Sequence, residues 1–256
     1  MIETTITLSD GRQLRASETG SGDHLVVLLH GWTCRRQHWA GFLGAEGRRY
    51  HCLAPDLPGH GDSADTAGDG SVAGLAADVA DLVAARAPAR AVLVGHSMGG
   101  AVAMEAAARL RDVAAVVLVD TFVIPYGDLA EADAAAIERG FQEDFGSALD
   151  RLVDTNAASV MRRGAKDALA DGMKETDPER MLPLWSDLLR WDPEPAFQAL
   201  EAPVLAINGD LIPDASYRRC AGRVDEQRLP GAGHFPQLEM PEAFNRALDD
   251  ILRRVQ

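Results

Sequence analysis

Ala91-Val92-Leu93-Val94-Gly95-His96-Ser97-Met98-Gly99-Gly100-Ala101 carries more structural information than any other stretch of this chain. Four apolar residues run into a glycine, and a serine follows two positions later. Small residues then open an alanine-rich segment that continues to Leu110. The pattern predicts a buried strand, a sharp turn and a helix. A serine displayed at such a turn takes a strained backbone, so the residues two before and two after it must lack bulk. The helix behind it aims N–H groups and a partial positive charge at any oxyanion forming beside the serine. The plain alternative is a tight turn whose serine only caps the helix. Position after a fifth predicted strand favours Ser97 as a nucleophile.

Working outward, Ile2 to Leu8 alternates as a half-buried strand does, and Asp10-Gly11 turns it into a second strand over 13–19. Continuous apolar runs follow at Leu25–Leu29, Tyr50–Ala54, Ala91–Val94, Ala114–Val119 and Val204–Ile207. Runs of this kind, bounded by turn residues, fit strands covered on both faces. Helical stretches lie between them: Val72–Ala87, with Asp78 and Asp81 on a polar face, and Gly100–Leu110. Strands alternating with helices predict an α/β fold with a mostly parallel sheet and helices on both sides. Residues 121–200 break the rhythm and read as helices. They predict a helical cap inserted after strand six, with 1–120 and 201–256 forming the core domain. Such a cap sits over the carboxyl ends of the strands, where open α/β sheets bind ligands.

The 256 residues suit one core of this kind. A net charge of −14 argues against nucleic acid or an anionic membrane as partner and says little about the substrate, which is expected to be a small molecule. Cys34, Cys52 and Cys220 are scattered and odd in number, which fits a reducing compartment. Met1-Ile2-Glu3 opens without a basic or apolar leader pattern, and no apolar run is long enough to span a bilayer. The expectation is a cytoplasmic monomer or homodimer. No zinc spacing or dinucleotide fingerprint occurs, so neither metal nor cofactor is expected.

His234, in Leu229-Pro230-Gly231-Ala232-Gly233-His234-Phe235-Pro236, is the candidate general base. It follows the serine in chain order and stands on a glycine-rich loop after the last predicted strand, ahead of a helix beginning near Pro241. His30, His60 and His96 are read as turn or supporting residues. His30-Gly31-Trp32 follows the third strand, where a loop N–H usually completes an oxyanion hole, so the donors are assigned to Trp32 and Met98. Asp56 to Ser63, after the fourth strand, reads as a rigid structural loop.

His30-Gly31, Asp56–Ser63, the Ser97 turn, the helical insertion and Gly233-His234 together resemble the α/β-hydrolase superfamily, over nearly the whole chain. The resemblance implies a serine hydrolase whose triad runs Ser, acid, His. In that family the acid usually lies after strand seven, three residues beyond a glycine. Here the glycine is Gly209 and the position holds Ile212. Some members carry the acid at the end of strand six, where this chain has Asp120; Asp210 and Asp214 are the other candidates. Asp120 is preferred, because an aspartate ending a wholly apolar strand is costly unless it bonds something specific.

Acyl transfer on an ester, thioester or lactone of a small hydrophobic substrate follows, with Ser97, Asp120 and His234 as catalytic residues. Ser97 stands where dehalogenase and epoxide hydrolase relatives carry an aspartate. Three alternatives share the fold: a cofactor-independent dioxygenase, a perhydrolase, and a non-catalytic ligand-binding protein. Met98 stands where the dioxygenase branch tends to carry a second histidine.

Overall fold

The computed structural model describes residues 1–255. Eight strands form one sheet: β1 (Ile2–Thr7), β2 (Gln13–Thr19), β3 (His24–Leu29), β4 (His51–Pro55), β5 (Arg90–His96), β6 (Val113–Val119), β7 (Val204–Asn208) and β8 (Val224–Arg228). Their order across the sheet is β1-β2-β4-β3-β5-β6-β7-β8. The β1–β2 and β2–β4 pairs are antiparallel, and every later pair is parallel. This is the expected α/β architecture, with the opening hairpin at one edge.

The helices are α1 (Ala40–Ala45), α2 (Val72–Arg86), α3 (Met98–Ala107), α4 (Glu131–Glu143), α5 (Phe145–Asn156), α6 (Arg163–Lys174), α7 (Pro178–Leu189), α8 (Glu194–Ala199), α9 (Asp214–Cys220), α10 (Pro236–Glu239) and α11 (Pro241–Val255). Alternation along the strands sorts the core into two layers. Leu25, Val27 and Leu29 pack with Leu75 and Val79 of α2 and Ala101 and Met104 of α3. Val26 and Leu28 face the other way, onto Phe42 of α1 and Phe244, Leu248 and Ile251 of α11. Both faces of the central strands are therefore buried, which is why their sequences are unbroken apolar runs.

Five helices, α4–α8, lie between β6 and β7. Their buried residues, among them Leu149, Met173, Met181 and Leu188, join the same core layer as α2 and α3.

Two expectations are corrected. Asp78 is not on a solvent-facing side of α2: it is buried and ion-paired to Arg12, whose Nη1 lies 3.0 Å from Oδ2. A buried charge needs such a partner, and Arg12 reaches it from the hairpin turn 66 residues away in sequence. Strand β8 was not expected, because Val-Asp-Glu-Gln-Arg has no apolar run. It is an edge strand with Asp225, Glu226 and Arg228 exposed, and charge at an edge discourages further pairing.

The Asp56–Ser63 loop is held from beneath. The buried Asp56 carboxylate is ion-paired to the buried Arg36 guanidinium, and accepts the N–H of Arg36 at 2.7 Å and of Asp62 at 3.0 Å.

Candidate active site

Ser97 joins β5 to α3 with φ 52° and ψ −121°, a backbone conformation costly for any residue bearing a Cβ. Its N–H donates to the Val119 carbonyl at 2.9 Å, which anchors the turn to β6. Gly95 and Gly99 make the turn possible by close approach. A Cβ on Gly95 would collide with the Gly99 backbone, and one on Gly99 with the carbonyls of Leu29 and His30.

The imidazole of His234 lies beside the serine, with Nε2 3.1 Å from Ser97 Oγ. On its other side Nδ1 is 2.7 Å from Asp120 Oδ2. A carboxylate only accepts, so Nδ1–H donates to Asp120 and Nε2 is left to accept the serine proton. Asp120 is fully buried, and its second oxygen accepts the Gly209 N–H at 3.0 Å. It occupies left-handed backbone at φ 48°, a region aspartate tolerates better than most residues. The other two acids lie apart. Asp210 is exposed, and its Oδ2 accepts the Gly231 N–H at 2.7 Å. Asp214 is exposed in the first turn of α9. Ile212, at the commoner acid position, is buried.

The backbone of His234 is tied at both polar atoms. Its N–H donates to the Asn156 carbonyl at 2.8 Å, and its carbonyl accepts from His96 Nε2 at 2.7 Å. His96 immediately precedes the serine, so one hydrogen bond links the two loops that meet at the site. Burial holds its imidazole far below the usual histidine pKa, and it remains neutral. His30 and His60 are likewise buried, and burial pushes each down to about 3. His30 accepts the Leu57 N–H at Nε2 and donates from Nδ1 to the Gly31 carbonyl, which makes it a loop fastener.

Of the two residues expected to donate to an oxyanion, Met98 directly follows Ser97 and Trp32 lies on the loop after β3. Met98 opens α3, so its N–H has no acceptor within the helix. Trp32 follows Gly31, where an added Cβ would lie 3.3 Å from Ser97 Cβ. The Trp32 side chain does something the sequence did not disclose. It stacks on Trp185 at 4.4 Å, meets Phe141 edge-on at 5.1 Å, and donates from Nε1 to the Met181 carbonyl at 3.0 Å. It thereby fastens the α4–α8 helices to the loop after β3.

Above Ser97 and His234 lies a cavity of about 440 Å³. Its walls include Trp32, Ile137, Phe141, Leu152, Met173 and Trp185. Of the large apolar residues in the inserted helices, Phe141, Met173 and Trp185 reach the cavity. Trp191 instead packs on Phe122 and Tyr126 and donates to Glu105, while Met161 and Met181 fill the core. Arg151, Thr155 and Asn156 bring polar groups from α5. The wall residues Ile137, Leu152 and Arg151 were not singled out from sequence, because which side of a helix faces a cavity depends on packing.

The alpha/beta hydrolase family model matches residues 26–247. The chain belongs to the alpha/beta hydrolase family. Among its relatives, a pimeloyl-[acyl-carrier protein] methyl ester esterase of Xanthomonas oryzae pv. oryzae is 31% identical over 253 residues, covering 90% of this chain and 95% of the relative. The dihydrolipoyllysine-residue acetyltransferase component of an acetoin cleaving system from Pseudomonas putida is 30% identical over 259 residues, covering 95% and 68% respectively. Among solved structures, a bromoperoxidase from Bacillus anthracis superposes with a TM-score of 0.87 at 19% identity, over 98% of this chain and all of that one. That last likeness concerns the fold. No helix among the described residues is long and apolar enough to cross a membrane.

Proposed function

We propose that this family member is a serine hydrolase that cleaves an ester, thioester or lactone of a small hydrophobic substrate through an acyl-enzyme on Ser97. The observation that carries the reading is the hydrogen-bonded series Ser97–His234–Asp120 at the base of an apolar cavity. The esterase name of the Xanthomonas relative supports ester chemistry.

His234 Nε2 takes the hydroxyl proton as Ser97 Oγ attacks the carbonyl carbon. Asp120 holds the imidazole in the tautomer with Nδ1 protonated and stabilises the imidazolium that forms. The backbone N–H groups of Trp32 and Met98 receive the oxyanion. The imidazolium returns its proton to the departing alkoxide or thiolate, and water activated by the same nitrogen releases the acid. The cavity walls take the acyl portion, and its volume falls in the range of roughly 300–1,000 Å³ usual for small-molecule sites.

Turnover of p-nitrophenyl esters tests the proposal. Ser97→Ala should lower kcat by on the order of 10³-fold or more, with the fold intact by circular dichroism. Undiminished turnover in that variant would end the reading.

A further inference from the structure

We propose that Glu239 is a positioning residue that fixes the His234 loop against both Ser97 and the inserted helices. The role rests on the hydrolase reading above. The Glu239 side chain is buried, and no ion pair reaches it among the described residues. Its carboxylate is instead engaged by three backbone donors. Oε2 accepts the Gly233 N–H, and Oε1 accepts the Phe235 N–H at 3.2 Å and the Ala158 N–H at 3.0 Å. Gly233 and Phe235 are the two neighbours of His234. Ala158 belongs to the connection between α5 and α6.

The peptide groups around the base are thus accounted for one by one. The N–H groups before and after His234 go to Glu239, its own N–H to the Asn156 carbonyl, and its carbonyl to His96. Asn156 also lines the cavity. A buried carboxylate that binds backbone donors in place of a cation is costly unless all its donors are present, so it holds them in one arrangement. The imidazole must keep two hydrogen bonds at once, to Ser97 and to Asp120, and misplacement by about 1 Å can cost about 10²-fold in rate. The groups facing His234 are Ser97 and His96 from the β5 turn, Asp120 from β6, and Phe235. Glu239 acts on the imidazole through the backbone that bears it.

Glu239→Gln retains one acceptor oxygen and turns an amide toward a backbone N–H; Glu239→Ala removes both oxygens. In the full-length chain, with folding checked by thermal unfolding, kcat should fall about tenfold in the first and about 10²-fold in the second, with KM within about twofold. Proton NMR gives a readout that needs no turnover. The low-field signal of the His234 Nδ1 proton, identified by its loss in His234→Ala, should broaden or shift upfield in both variants. A lowered unfolding temperature with kcat and this signal unchanged would overturn the proposal, leaving Glu239 a packing residue. A raised KM with kcat unchanged would also overturn it, by confining Glu239 to holding the inserted helices. Wild-type protein that shows the signal yet hydrolyses no ester would instead sink the proposed function, while the signal in the variants still decides the role of Glu239. Should Glu239→Ala fail to fold, Glu239→Gln alone carries both readouts.

Discussion

Asp120 sits at the end of a strand that is otherwise apolar from Ala114 to Val119, and that contrast makes it conspicuous in the sequence. Chain order could not choose among Asp120, Asp210 and Asp214. In the structure β6 lies beside β5, which brings Asp120 next to the Ser97 turn, with its Oδ2 2.7 Å from His234 Nδ1. Asp120→Asn should lower kcat by on the order of 10²-fold or more, because an amide there can hold the imidazole in the wrong tautomer. Asp210→Asn and Asp214→Asn should stay near wild type. Steady-state kinetics on the three variants decides the matter, and loss of activity in Asp210→Asn alone would move the acid to β7. Ser97 and His234 stand out in the sequence as candidates because their local demands for glycine and for a loop are severe. Glu239, Asn156 and the Trp32 side chain do not, since each makes a contact to a residue far away in the sequence: Glu239 to Ala158, Asn156 to His234 and Trp32 to Met181.

Elements with one dominant requirement were readable, and elements with mixed ones were not. The parallel strands were found because both faces are buried. β8 has no apolar run to reveal it, because it lies at the sheet edge with none of its residues fully buried and Asp225, Glu226 and Arg228 exposed. The inserted helices were recognised as helices, but which of their side chains meet the substrate depends on how they pack. That packing gives a cavity walled by Phe141, Ile137, Leu152, Met173 and Trp185. Each methylene of an acyl chain buried there should contribute about 0.8 kcal/mol, or nearly fourfold in affinity, until the space is full. Across p-nitrophenyl esters of rising chain length, kcat/KM should therefore climb from acetate to a medium chain before falling. A monotonic decline from acetate onward would mean that the apolar walls do not receive the acyl group.

Across the whole molecule, the buried histidines tie stability to pH. His30, His60 and His96 are neutral in the fold, with pKa values lowered by burial, to about 3 for the first two. In the unfolded chain each titrates near 6.5. Below that pH the unfolded state binds protons that the folded state refuses, so stability is fully present above about 6.5 and is lost progressively toward about 3. In that window His30 and His60 each cost on the order of 1 kcal/mol per pH unit, and His96 acts in the same direction. The unfolding temperature should accordingly drop between pH 7.5 and 5.5, earlier than carboxylate titration alone would bring it down; a flat profile over that range would contradict the buried neutral state. The proposed chemistry rests on one atom, the Ser97 oxygen activated by His234. The measurement that tests it most directly is intact-mass analysis and peptide mapping after treatment with a fluorophosphonate. One adduct per chain is expected, on Ser97 and absent from His234→Ala; folded wild-type protein left unmodified, or modified at another residue, would rule out Ser97 as the nucleophile.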